Sequence, residues 1–256
     1  MPKFLSTLVI IIVLAGNSFA QNNYNLQQFK NESFDFIKQP AKWESNDWLK
    51  LGLVGAATFI AMQADQPVRD EFMKDRSFNK SVPIEFGRMW GEVYTPVAIA
   101  GAFGLHGLLA KDNSTKKIGY EIIQTTIYAG AITTALKLAL GRARPFTDKG
   151  SKSFGTWSFL DDSFHSLPSG HATIAFSVST VLAKNAKSDL LKILCYVPAV
   201  LTAVSRVYHD KHWVSDVFLG GVIGYAVGDW VTSKHEENEM IQISSPQQIS
   251  IVIPLN

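Results

Sequence analysis

Three stretches of the sequence bring cationic and histidine side chains together at spacings suited to chemistry on an anion. The richest is Ser205-Arg206-Val207-Tyr208-His209-Asp210-Lys211-His212-Trp213-Val214-Ser215-Asp216. His212 and Asp216 stand at i,i+4, so on a helix the carboxylate can reach back to one imidazole nitrogen. A nitrogen held in this way fixes the tautomer and leaves the other as an unprotonated nucleophile or base. Arg206 adds a permanently charged fork for an oxyanion. A structural His–Asp pair, or a two-ligand fragment of a metal site, has the same spacing. Against a metal, His165, His171 and His209 follow no metal-ligand spacing, so none is expected.

The second stretch is Pro168-Ser169-Gly170-His171, directly before the apolar run 172–183. Ser169 can cap a helix there, and Gly170 lets a ligand approach bare backbone. The first-turn N–H groups have no partner within the helix, and the helix dipole favours negative charge beside them. Read alone, this is also an ordinary helix start with an incidental histidine. The third stretch runs from Lys137 to Arg144 and Pro145. Its two cations are seven residues apart, which puts them on one face of a helix that Pro145 should end at Arg144. Alone, the pair is equally a snorkelling one beside a polar loop.

The elements that must position these residues are helical. Six apolar segments run over about 48–62, 93–110, 118–140, 170–183, 190–205 and 213–231. The expected fold is an all-α helical bundle of about six core helices, with helix ends converging on one pocket. Before it, 21–47 is polar with an amphipathic helix ended near Pro40. The connection 63–92 should carry short helices, and 142–167 is a long loop of the functional kind. Runs 240–244 and 249–253 are β-like and could pair as a small C-terminal hairpin, or equally form a flexible end, within a tail at 236–256.

The first twenty residues have a basic start at Lys3, an apolar core from Leu5 to Ala15, and Ser18-Phe19-Ala20 before Gln21. That is the layout of a secretory signal peptide, and it is short for a membrane span. The chain is therefore divided into a leader at 1–20, a polar segment at 21–47, a helical domain at 48–235 and the tail. Six full crossings after a cleaved leader would leave the loops that hold the three stretches in the cytoplasm. An exported site thus requires that one segment does not cross, or that the domain is soluble or merely attached.

The composition narrows the partners. Over 256 residues, 46% are hydrophobic and 18% charged, and the formal net charge is +2. That charge is too small for a nucleic-acid binder, so an anion site must come from local clustering. The single cysteine, Cys195, excludes an internal disulfide and a cysteine-based metal site, and reads as a small buried apolar residue.

Taken in order, the three stretches match K-x6-RP, PSGH and SR-x5-H-x3-D, and the chain resembles the type-2 phosphatidic acid phosphatase superfamily over about 137–228. The resemblance implies a phosphohistidine on His212, oriented by Asp216, with His171 giving a proton to the leaving oxygen. It further implies that Lys137, Arg144, Arg206, Ser169 and Gly170 hold the non-bridging oxygens, with no cofactor and no metal. Phosphoryl transfer is largely positioning and stabilisation of negative charge, which three cations and a helix N-terminus can supply. The substrate expected is a phosphomonoester or diphosphate of a lipid: phosphatidic acid, a phosphatidylglycerol-phosphate, a polyprenyl diphosphate or a lipid A type. The same superfamily offers secreted acid phosphatases on soluble organophosphates and vanadium-dependent haloperoxidases as alternatives. A phosphorylated lipid and a membrane are the expected partners, with no obligate protein partner, at the periplasmic face of a membrane or in the periplasm. His165 is expected near the site, His209 and Asp210 at its rim, and His106 and His235 as structural or exposed. Phe154, Trp157 and Phe159 read first as core, and otherwise as an entrance for a lipid tail.

Overall fold

The computed structural model describes residues 22–155 and 161–244, with side chains as far as residue 238. In chain order the α-helices are α1 (Leu26–Ile37), α2 (Ser45–Ala61), α3 (Asp65–Lys74), α4 (Val82–Trp90), α5 (Tyr94–Leu109), α6 (Asn113–Leu140), α7 (Gly170–Lys184), α8 (Asp189–Leu194), α9 (Val197–Tyr208) and α10 (Val214–Ser244). Among the described residues the only β-type pairing is an isolated antiparallel bridge between Arg142 and Phe154. The fold is all-α, as the apolar periodicity requires.

The long helices α6 and α10 enclose α7, which is buried along most of its length (Ala172, Ala175, Val178 and Val181 are fully buried). Close approach of α7 and α10 depends on small residues. A Cβ on Gly224 would lie 2.4 Å from the Thr173 carbonyl oxygen, so nothing larger fits. One core cluster joins Ala100 of α5, Ile122 of α6 and Val178 and Val181 of α7. A second joins Tyr128 and Ala129 of α6 to Val227 and Val231 of α10, with Phe29 and Phe36 of α1 packed against it. Helix α4 lies on α9, where Gly87 faces the Leu201 carbonyl.

Four expectations need correction. The segment 190–205 is two helices, because Pro198 enters at the start of α9 and cannot continue the hydrogen-bond ladder of α8. Cys195, at the break between them, is half-buried rather than buried. Residues 240–244 are the end of α10 and not a hairpin strand, since propagation of the long helix before them outweighs local β preference; 249–253 lie outside the described residues. Finally, α6 ends at Leu140, not at Arg144. Gly141 takes a left-handed conformation (φ 55°), and its N–H closes the helix on the Lys137 carbonyl at 3.0 Å. Proline thus marks the next turn, a 3-10 helix at Pro145–Thr147, while glycine stops the helix.

The far end of the bundle is polar. His235 is fully buried, with Nδ1 3.0 Å from Glu121 Oε1 and Nε2 3.2 Å from Glu32 Oε2, so it ties α1 to α6 and α10. The expected structural role of His235 is therefore supported, and exposed His106 bonds Thr115 Oγ1 at 3.1 Å.

The turn after α6 generates a test. A Cβ at residue 141 would sit 2.0 Å from the Gly155 carbonyl oxygen, and the positive φ is itself strained for alanine. Gly141→Ala should cost more than about 1 kcal/mol. Thermal unfolding of the purified protein should move down by roughly 2–4 °C for each kcal/mol lost. An unchanged midpoint would mean that this turn does not fix the chain leading to Arg142 and Arg144.

Candidate active site

His212 lies in the turn between α9 and α10 and is only 2% exposed. Its Nδ1 stands 2.9 Å from the Ser166 carbonyl oxygen. A carbonyl can only accept, so Nδ1 carries the hydrogen and Nε2 presents a lone pair. That nitrogen is 3.3 Å from Arg144 Nη1. Burial, followed by the charges of Lys137, Arg144, Arg206 and His171, holds His212 well below the ordinary imidazole range. The ring is thus a neutral base with its free nitrogen turned towards a cation.

The direct bond expected from Asp216 to His212 is replaced by a longer approach. Asp216 Oδ2 is 3.6 Å from Nδ1, beyond hydrogen-bond range. The reason is that both oxygens are already engaged. Oδ2 accepts the Trp213 N–H at 2.8 Å and the Ser166 hydroxyl, and Oδ1 accepts from Arg142 Nη1 at 2.7 Å. As the third residue of α10 reaching back to the N–H before the helix, Asp216 fixes the turn that carries His212. It also clamps Ser166, whose carbonyl orients the ring.

Arg144 reaches the site from extended backbone beyond α6 (φ −74°, ψ 153°) and not from a helix face. Its Nε donates to the Asp162 carbonyl at 2.8 Å and its Nη2 to Asp162 Oδ1 at 2.7 Å, leaving Nη1 towards His212. Lys137, in the last turn of α6, donates to the His165 carbonyl, and burial followed by the Arg144 charge pushes its ammonium down to about 8. Lys137 Cε lies 3.9 Å from where a Cβ on Gly170 would be, which places it against the start of α7. Arg206, near the end of α9, is buried, and its Nε has no hydrogen-bond partner among the described residues. A buried, unpaired guanidinium nitrogen is costly unless something else meets it.

At the start of α7, Ser169 caps the helix, with its Oγ accepting the Ala172 N–H at 3.4 Å. Its own N–H donates to the Asp216 carbonyl at 2.9 Å, which ties the α7 start to the His212 turn. His171 follows in the first turn. Glu92, between α4 and α5, brings Oε1 to 3.2 Å from His171 Nε2, an ion-pair approach without hydrogen-bond alignment. Burial and the Arg206 charge push His171 down to about 4, and Glu92 opposes them.

The eight residues singled out from the sequence therefore come from four places, the end of α6, the start of α7, the end of α9 and the start of α10, and face one region. His209 and Asp210 are bonded to other partners: His209 Nε2 is 3.2 Å from the Asn79 carbonyl, and Asp210, itself buried, takes the Arg69 guanidinium at 2.7 Å. Half-exposed Phe154 lies against Arg142, with the guanidinium 5.7 Å from the ring centre; Trp157 and Phe159 lie outside the described residues.

Four participants were not anticipated. Arg142 is fully buried, and its Nη2 meets Asp65 Oδ2 at 2.6 Å while its Nη1 meets Asp216. Asp65, at the start of α3, also accepts from the Ser215 N–H at 2.9 Å and hydroxyl at 2.7 Å. Ser166 acts through its carbonyl, and Glu92 through one carboxylate oxygen. Arg142 sits inside the first motif but at none of its signature positions, and its burial depends on Asp65, 77 residues away in the chain. The other three carry no spacing signal.

Together these groups set three cations and a helix N-terminus beside an unprotonated imidazole nitrogen, with a second imidazole in the first turn of α7. Residues 120–240 match the family described as the PAP2 superfamily. Among curated relatives, the lipid A 1-phosphatase of Porphyromonas gingivalis is 31% identical over 106 residues, covering 40% of this chain and 23% of the relative. That of Rhizobium johnstonii is 35% identical over 119 residues, covering 44% of each. The undecaprenyl-diphosphatase of Sulfolobus acidocaldarius is 30% identical over 121 residues, covering 46% of this chain and 53% of the relative. The aligned region thus spans about half or less of each of these relatives. Two solved structures share the fold. LpxE of Aquifex aeolicus has a TM-score of 0.50 at 19% identity, covering 66% of this chain and 94% of that one. The transmembrane PAP2-type phosphatidylglycerolphosphate phosphatase of Bacillus subtilis has a TM-score of 0.58 at 21% identity, covering 74% and 94%. The motifs, the helical architecture and the matched segment agree, and residues 120–240 of this chain are similar to the PAP2 superfamily.

Proposed function

We propose that the protein is a lipid phosphatase that hydrolyses a phosphomonoester or diphosphate through a phosphohistidine on His212, without a metal. The observation that carries the proposal is the orientation of His212: Nδ1 is committed to the Ser166 carbonyl, and the unprotonated Nε2 accepts from Arg144 Nη1 at 3.3 Å. In the first step Nε2 bonds to phosphorus as the ester P–O bond breaks, and His171 gives its proton to the departing oxygen. In the second, His171 takes a proton from water, whose oxygen attacks phosphorus and frees His212. Lys137, Arg144, Arg206, Ser169 and the Gly170 backbone hold the non-bridging oxygens.

The lipid preference is supported by the printed activities of the relatives, lipid A 1-phosphatase and undecaprenyl-diphosphatase. It is also supported by apolar side chains left facing outward, among them Phe59, Ile60, Leu108, Leu109, Leu190 and Ile193. Stretches Asp189–Tyr208 and Val214–Asn238 are each long and apolar enough to cross a bilayer. A phosphate-release panel of lipid and soluble substrates, run with EDTA and a His212→Ala control, tests the proposal. Lipid substrates should be turned over unaffected by EDTA, and His212→Ala should retain less than about a thousandth of the rate. Activity abolished by EDTA, or preserved in His212→Ala, contradicts it.

The proton on His171 makes a second test. In the free site the ring is held down to about 4, and a bound dianion must raise it. The protonated ring therefore binds the anion more tightly, and affinity falls as pH rises above about 4 towards the higher value of the complex. Sulfate, dianionic throughout, should bind up to about tenfold more weakly per pH unit in this window, and His171→Gln should flatten the dependence. A pH-independent sulfate affinity in the unaltered protein contradicts the assignment.

The catalytic end is proposed to face the exported side of a membrane, in keeping with the leader-like first twenty residues. Asn22 bonds His235 at the opposite end of the bundle. In a Cys195→Ala background, Lys152→Cys should react with a membrane-impermeant maleimide from outside, and no reaction would contradict an exported catalytic end. Gln27→Cys reacts as well if the bundle is attached, and is protected if its helices cross.

A further inference from the structure

Asp216 has a flaw as the carboxylate supporting His212, because a fully buried guanidinium cancels its charge. Arg142 Nη1 lies 2.7 Å from Asp216 Oδ1, and both side chains are fully buried. A neutral Asp216–Arg142 pair offers little to an imidazole that must become cationic when Nε2 takes a phosphoryl group and Nδ1 keeps its hydrogen. The second carboxylate on Arg142 corrects this. Asp65 Oδ2 lies 2.6 Å from Arg142 Nη2, also with neither side chain exposed, so the three charges sum to one negative unit.

We infer that Asp65 is a positioning residue for phosphoryl transfer: it neutralises Arg142, so that Asp216 retains a net negative field for the His212 ring. The inference rests on the phosphatase reading above. Asp65 touches no substrate and stands outside the segment that matches the family, 120–240. Its place is nonetheless built. Asp65 Oδ1 accepts the Ser215 N–H at 2.9 Å, and its Oδ2 accepts the Ser215 hydroxyl at 2.7 Å. Ser215 Oγ lies 2.7 Å from Arg142 Nη1 as well, which closes a ring of contacts directly before Asp216 in the chain. The Ser151 carbonyl takes Arg142 Nε at 3.0 Å and so completes the guanidinium's partners.

A purely structural ion pair would also explain Asp65, since a buried arginine needs partners. The two roles differ in what survives its loss. A positioning role leaves the anion seat intact and slows the chemistry, whereas a scaffold role damages both. The reaction itself is balanced without Asp65: the N–P bond forms, the ester P–O bond breaks, and His171 supplies the proton to the leaving oxygen. Asp65 changes only how well the cationic phosphoimidazole is tolerated.

The experiment compares wild type, Asp65→Asn and Asp65→Asn/Arg142→Gln in detergent on one lipid phosphate, with competitive inhibition by sulfate, which occupies the anion seat without bonding to His212, read alongside. Asp65→Asn should lower kcat roughly 10–100-fold, the range for buried orienting partners, with KM and sulfate inhibition unchanged within about threefold. The double variant again carries one net negative charge, so it should recover about tenfold of that loss. The wild-type rate tests the phosphatase reading, and only the variant-to-wild-type ratios test Asp65. The inference is overturned if Asp65→Asn keeps its kcat or loses sulfate inhibition in step with kcat. A double variant no faster than the single one, or a single variant that does not fold, overturns it equally.

Discussion

Gathering Lys137, Arg144 and Arg206 around a nearly buried imidazole is electrostatically uphill, and most of the surrounding structure is arranged to tolerate it. Two of the cations are restrained by groups that cannot follow them into the site. Arg144 is pinned through Nε and Nη2 to Asp162, and Lys137 is held by the His165 carbonyl. Arg206 is buried, with the charges of Glu92 and Glu85 near it and its Nε unmatched among the described residues. A dianion placed among these groups relieves the repulsion and restores charge to His171, so binding energy and proton placement come from the same source. The fold opposes this repulsion by setting these groups at helix ends and locking those ends to one another. The Ser169 N–H to the Asp216 carbonyl at 2.9 Å is one such lock, and the Arg142 contacts are another.

This view reassigns part of the work usually given to a histidine's carboxylate neighbour. The sequence spacing of His212 and Asp216 suggests a direct bond, but the nearer oxygen stands at 3.6 Å. Asp216 acts instead on the turn and on Ser166, and the Ser166 carbonyl selects the tautomer. Electrostatic support then depends on charge at a few ångströms and not on a shared proton. That is why the balance between Arg142 and its two carboxylates matters.

Much of the site is legible in the sequence because its parts obey strong local rules. Ser169 before an apolar run is a cap, Pro145 disfavours helix before it, and His212 with Asp216 is one helical turn. The all-α class follows from six apolar periodic segments. Other features are invisible locally for physical reasons. Asp65 belongs to a charged connector and meets Arg142 only once α3 has folded across the bundle. Ser166 contributes a backbone oxygen, which any residue supplies. Glu92 reaches His171 because α4 lies on α9, a packing choice set by Gly87 and Leu201. Pro145 points to a helix end at Arg144, but the left-handed residue at Gly141 ends α6 first. The β preference of 240–244 is outweighed by propagation of α10.

The central claim is that Nε2 of His212 is the atom that accepts the phosphoryl group. Rapid quenching into base during turnover, followed by mass spectrometry of the peptide carrying residue 212, tests it most directly. The account predicts an acid-labile, base-stable phosphoryl group on His212 that forms and decays fast enough to carry the turnover rate. A phosphoryl group on any other residue, or none under conditions that trap every slower step, would contradict it.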